Sequence, residues 1–185
     1  MIKNLCVNWY ASYTYDDIKN GKQCLTCLSD DLNGNGLYLI TGKRFGNKKQ
    51  SYYFGKTEKS YKKRFANHKI LERLWREQTI YLGKLVQPMD FNRRHLELAE
   101  WCYIYFSQNF CDEMICENDR KSIKPPAYDC TIISFFHDRQ GKKYERIPYA
   151  FPYNLRTLVR EFMKWDSDEQ NLYYAVKLAK IHLEN

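Results

Sequence analysis

Five side chains in one stretch of this chain have the types needed to cut a phosphodiester: Tyr38, Tyr53, Arg64, His68 and Glu100. Such a reaction needs a water deprotonated, a scissile phosphate held, and charge on phosphorus and the leaving oxygen neutralised. One carboxylate, one guanidinium, one imidazole and two phenols suit that task if the fold brings them together. Their order has physical content. Gly36-Leu37-Tyr38 and Tyr53-Phe54-Gly55 read as strand text, and Gly55 permits a sharp turn from strand to helix. Arg64 and His68 stand four apart, which on one helix places them on the same face about a turn apart. Glu100, followed at the fourth residue by Ile104, arrives from a second helix. Taken singly, each residue is an ordinary strand aromatic or helix polar group; the joint order carries the reading.

The elements that must position them follow from pattern and punctuation. Asn33-Gly34-Asn35-Gly36 is turn chemistry. Leu37–Ile40 and Ser51–Phe54 read as two short strands joined by the polar loop Gly42–Gln50, an antiparallel hairpin. Thr57 to about Trp75 reads as a helix capped by Thr57 or Ser60, with apolar positions at Tyr61, Phe65, Ile70/Leu71 and Leu74/Trp75. Thr79–Val86 reads as a third strand and Asp90–Phe106 as a second helix, capped by Asn92. Pro125-Pro126 breaks the chain. Beyond it, Thr131–Phe136 and Lys142–Ile147 predict a second hairpin, and about Asn154–Trp165 and Glu169–Leu183 predict two helices. The expected class is α+β (mixed α/β), a three-stranded antiparallel sheet flanked by helices plus a C-terminal hairpin and two helices. Residues 1–33 read as an N-terminal extension, 34–118 as the module holding the chemistry, and 119–185 as a C-terminal hairpin-helix subdomain.

Charge points to the partner. The net charge is +8, and twelve basic residues with only two acids, Glu58 and Glu72, lie between Lys43 and Arg76. A localised positive surface is what a phosphate backbone selects, though a solvated face would look the same. Seven cysteines, an odd number, with no apolar leader in MIKNLCVNWYASY, read as free thiols in a reducing, cytoplasmic setting. No apolar run is long enough for a membrane span.

Gly36-Leu37-Tyr38, Tyr53-Phe54-Gly55, Arg64-x3-His68 and Glu100-x3-Ile104, in this order, resemble the GIY-YIG nuclease family over about seventy residues, Gly36 to Phe106. The resemblance implies a metal-dependent DNA endonuclease, of restriction or mobile-element type, with a repair-type enzyme as the alternative. A non-catalytic nucleic-acid-binding module on the same fold is the rival of a different class. Position by position, it implies Tyr38 as general base for the water, Tyr53 as orienting group, and Arg64 as phosphate ligand and transition-state stabiliser. His68 would help take the tyrosine's proton. Glu100 would hold one Mg²⁺ or Mn²⁺, and Lys56 would stabilise phosphate charge or lower a tyrosine's pKa. Double-stranded DNA is the expected substrate, touched by Lys43, Arg44, Lys48, Lys49, Lys62 and Lys63. A homodimer would serve to cut both strands.

The chain departs from the family pattern in places. Fifteen residues separate Tyr38 from Tyr53, so the hairpin loop is long. An extra residue before Arg64 leaves Lys63 as its competitor, Glu97 lies one turn from Glu100, and Asn118 only loosely matches the family asparagine. Cys24-x2-Cys27, with Cys6, Cys111 and Cys116, lacks a second pair at zinc-finger spacing, so buried thiols are the plainer reading. Arg139, Lys142, Lys143, Arg146, Arg156 and Arg160 are candidates for a second DNA contact.

Overall fold

The computed structural model describes residues 3–20, 36–110, 114–118, 127–144 and 162–175. Its strands are β1 (Lys3–Tyr13), β2 (Gly36–Lys43), β3 (Gln50–Thr57), β4 (Arg76–Gln87), β5 (Ile115–Cys116), β6 (Cys130–His137), β7 (Phe162–Asp166) and β8 (Asn171–Ala175). All eight join one mixed sheet in the order β5-β3-β2-β4-β1-β6-β7-β8. The helices are α1 (Tyr15–Lys19), α2 (Tyr61–Phe65), α3 (Lys69–Arg73) and α4 (Arg93–Phe110).

This overturns the expected three-stranded sheet flanked by helices. The antiparallel trio β3-β2-β4 is present, but it is the middle of a much wider sheet. Residues 3–13, read as part of an extension, form β1, antiparallel to β4 and parallel to β6. Where two C-terminal helices were expected, Phe162–Asp166 and Asn171–Ala175 are strands; the neighbouring residues 154–161 and 176–183 lie outside the described set. The expected hairpin partner of β6 is reduced, among the described residues, to one bridge between His137 and Lys143.

Both faces of the central strands are covered, which is why β2 is buried almost throughout. Alternation sends Leu37 and Leu39 to one face and Tyr38 and Ile40 to the other. On the first face α4 lays Leu96, Ala99, Tyr103 and Phe106 against Leu5, Trp9, Leu37 and Phe54. On the second, α1, α2 and α3 contribute Ile18, Tyr61, Phe65, Ile70 and Leu71 to a core with Tyr38, Ile40 and Leu82. Asn92 caps α4 as expected, its Oδ1 accepting from the Arg94 and His95 amides at 3.0 and 3.3 Å.

The expected helix from Thr57 to Trp75 is two short helices. Ser60 caps α2, accepting from the Lys63 amide at 3.3 Å. The chain leaves the helix after Ala66, and His68 sits at the head of α3 with an extended backbone, φ −91° and ψ 98°. Arg64 and His68 therefore do not share one helix face. The fully buried Tyr61 fixes α2 to the sheet, its hydroxyl lying 2.6 Å from the Gly83 carbonyl and 3.0 Å from that of Leu37.

No helix among the described residues is long and apolar enough to cross a membrane.

Candidate active site

The Tyr38 hydroxyl is the centre of the site. Its oxygen accepts from Arg64 Nε at 2.9 Å and lies 2.8 Å from His68 Nε2. Two different elements converge on it: Arg64 from the end of α2, His68 from the break before α3. The break is what lets the imidazole turn inward. Tyr53 stacks on Tyr38 with ring centroids 6.2 Å apart, and His68 meets both rings edge-on, at 5.5 Å from Tyr38 and 5.3 Å from Tyr53. Phe65 closes the other side of Tyr38 at 5.0 Å. Behind the ring there is no room: a Cβ on Gly55 would come within 2.4 Å of the Tyr38 ring and hydroxyl. Gly55 thus serves the close approach of a ring across the β2–β3 pair.

Burial dominates the electrostatics. It pushes the Tyr38 phenol well above its ordinary range, with Tyr53 adding and Arg64 opposing. Tyr53 is raised for the same first reason, again against Arg64. Burial, and then the Arg64 charge, push His68 down to about 4. His68 is therefore neutral at pH 7. With its proton on Nδ1, Nε2 accepts from the Tyr38 hydroxyl.

Glu100 reaches the same region from α4. Burial raises its carboxyl pKa, opposed by the Lys56 charge, a hydrogen bond from the Lys56 backbone amide, and Arg64. Glu97 is occupied elsewhere, 2.9 Å from Arg93 Nε and 3.5 Å from Lys56 Nζ. Of the two acids, Glu100 is the one coupled to Arg64 and to both tyrosines. Lys63 and Arg64 are both exposed, and of the two it is Arg64 that bonds Tyr38. Lys56 Nζ stands at the rim, 3.5 Å from Glu97 and 3.7 Å from Glu58, while its backbone serves Glu100.

A Mg²⁺ site on Glu100 fits the donor chemistry. Among the described residues no three His, Cys, Asp or Glu side chains gather into a cage. Mg²⁺ at a phosphate does not need one, since it keeps several waters and takes one or two carboxylates plus substrate oxygens. Glu100 supplies one partly desolvated carboxylate to such a set; Arg64 beside it has no lone pair to give a metal and could meet only the phosphate.

The basic residues expected on DNA divide. Lys48, Lys49, Lys62 and Lys63 are exposed. Lys43 pairs with Glu77 at 2.7 Å. The Arg44 guanidinium forms a two-point ion pair with Glu117, whose side chain is fully buried. Arg44 is thus a strut between the β2–β3 loop and the end of β5. Arg139 is likewise tied down, though partly exposed, donating to the Ser12 carbonyl at 2.7 Å and to Asp17 at 2.9 Å. Arg146, Arg156 and Arg160 lie outside the described residues, as do Cys24, Cys27 and Cys111. Cys6, Cys102, Cys116 and Cys130 are free and buried.

Sequence reasoning undervalued Asn118 and missed Tyr61 and Glu117. Tyr61 looked like one more apolar helix position. The two-strand contact of its hydroxyl has no local signature.

Comparison with protein families, with curated proteins and with solved structures finds no match to this chain.

Proposed function

We propose that this protein is a metal-dependent endonuclease of the GIY-YIG type that hydrolyses DNA phosphodiesters. The observation that carries the reading is the Tyr38 hydroxyl bonded to Arg64 and His68 together, with Tyr53 stacked on it and Glu100 within electrostatic reach.

With its pKa raised by burial, Tyr38 is not ionised at neutral pH. It would act as a relay once substrate binding opened its fully buried hydroxyl to the attacking water: its oxygen would take a proton from that water as its own proton passed to His68 Nε2, which is neutral and ready to accept. Arg64, bonded to Tyr38 through Nε and hydrogen-bonded also to Tyr53, brings a planar charge to a phosphate, and that charge stabilises the oxygen that transiently loses its proton. Tyr53, partly buried and stacked on Tyr38, orients the water or the phosphate. Glu100 would hold the divalent cation, which when bound neutralises charge on the phosphate and the leaving oxygen. Restriction or mobile-element nuclease is the finer role favoured here, with two copies of the chain cutting two strands.

Plasmid nicking with Mg²⁺ tests this, with wild type beside Glu100→Ala and Arg64→Ala. The expected result is cutting by wild type and loss in both folded variants. Equal cutting by all three sinks the site. Steeply salt-dependent DNA binding without cutting favours the non-catalytic binding module.

A further inference from the structure

We propose that the β2–β3 loop and the α3–β4 junction form a stacking platform for unpaired nucleotides, with Phe45 and Trp75 as its two aromatic faces. The proposal deepens the nuclease reading, on which it rests for the point of cleavage, by naming the substrate's form: a nucleic acid single-stranded beside the cut.

Phe45 is 86% exposed and Trp75 58% exposed. Both are held in place. Phe45 is the second residue of a turn closed by the Asn47 amide donating to the Arg44 carbonyl at 3.2 Å. Gly46 supplies the left-handed φ of +72° that this turn needs. Arg44 is anchored on buried Glu117, and the Lys49 amide donates to Asn47 Oδ1 at 2.9 Å. Trp75 follows Leu74, whose carbonyl lies so close to Gly42 that a Cβ there would be 2.4 Å away. The Gln78 side-chain amide donates to the Leu71 and Leu74 carbonyls at 2.9 and 3.0 Å. Lys43 pairs with Arg76 across the sheet, so the two aromatics leave neighbouring strands at one end.

Charge selects the occupant. Lys48, Arg73 and Arg76 are exposed within three residues of Phe45 or Trp75, against one exposed acid there, Glu72, while Glu77 is paired with Lys43. Cations that track phosphates beside aromatic faces that take any base are the equipment of single-strand binders. Position links the platform to the chemistry. α3 packs on Tyr38's side of the sheet. Lys43 is five residues along β2 from Tyr38, roughly 17 Å at about 3.4 Å per residue. That span matches about five stacked nucleotides.

The experiment is fluorescence anisotropy in EDTA with three labelled DNAs: a short single strand, the same sequence fully paired, and a duplex with a single-stranded overhang. Wild type should prefer the two with unpaired bases. Phe45→Ala with Trp75→Ala should weaken those two by about ten-fold or more and leave the duplex within about two-fold. Phe45→Tyr with Trp75→Phe should restore binding, and thermal unfolding should show every variant folded. Equal loss on all three DNAs, no loss, or no preference for unpaired bases overturns the proposal. So does self-association or binding to anionic vesicles through these two residues without any effect on DNA. Nicking assays separate the two readings. Selective binding without cutting fails the nuclease, whereas cutting indifferent to these residues on every DNA form fails the platform.

Discussion

Asn118 holds both backbone groups of Phe54: its Oδ1 accepts from the Phe54 amide at 3.0 Å and its Nδ2 donates to the Phe54 carbonyl at 2.7 Å. It stands where a neighbouring strand would. β5 pairs with β3 only at Ser51 and Tyr52, and Asn118 continues the edge one step further. Glu100 then takes the Lys56 amide. Two side chains thus finish the edge of the strand that presents Tyr53. Asn118→Ala should cost about 1–3 kcal/mol by leaving both groups without that partner, read as a urea midpoint shift, and should slow nicking. Asn118→Asp keeps an acceptor but loses the donor, and should do no better.

Tyr38→Phe removes one oxygen and little volume. Nicking should fall by about a hundred-fold or more, with the fold intact by circular dichroism. A variant as fast as wild type would remove Tyr38 from the chemistry.

The position of His68 implies a defined pH window. Its pKa is lowered from the ordinary 6.5 to about 4. Between these values the unfolded chain binds a proton that the native one does not. The associated stability is therefore fully present above pH 6.5 and fades as pH falls toward 4. Urea midpoints from pH 7.5 to 4 should fall further for wild type than for His68→Phe. Its imidazole resonance should shift with a midpoint near pH 4; one near 6.5 would contradict the desolvated placement.

Gly55→Ala puts a methyl into the Tyr38 ring, which Arg64 and His68 hold from the other side. The expected cost is about 1–3 kcal/mol from overpacking, and nicking should fall because the relay is displaced. Denaturation and activity measured on the same preparation check both.

Arg44 and Lys48 share a loop and a charge but should behave differently. Arg44→Ala strands a buried carboxylate at Glu117 and should lower thermal stability markedly. Lys48→Ala should leave stability unchanged, weaken DNA binding, and reduce the salt slope by about one. The reverse pattern would return Arg44 to the DNA surface.

The elements around the candidate site were more legible than the sheet as a whole. Residues of β2, β3 and α4 advertise themselves through compact apolar runs, a Gly-rich loop and a capped helix, and Tyr38, Tyr53 and Glu100 sit on them. The helix break left only a faint trace: Tyr61 and Phe65, and again Ile70 and Leu74, keep a helical step, but the five residues from Phe65 to Ile70 turn the apolar face away, and that slip falls where α2 ends and α3 begins. β1 was missed although Leu5, Val7 and Trp9 alternate, because Tyr10 and Tyr13 are also buried, on the opposite face. At β7 and β8, short runs such as Phe162-Met163-Lys164-Trp165 fit either helix or strand. Pairing of β7 with β6, and of β8 with β7, decides it, and a local pattern cannot report that.

β1 also sets an order of events during synthesis. Lys3–Tyr13 is made before the other strands of this sheet, yet one of its two neighbours, Cys130–His137, follows far later. Until then the half-sheet β3-β2-β4-β1 can assemble, but β1 exposes a bare edge carrying Leu5, Val7 and Trp9. Contacts this distant in sequence slow folding and prolong that exposure. Lesions near residue 130, far along the chain from Tyr38, should therefore appear first as a poor yield of folded protein, and only secondarily as a change in the region around Tyr38.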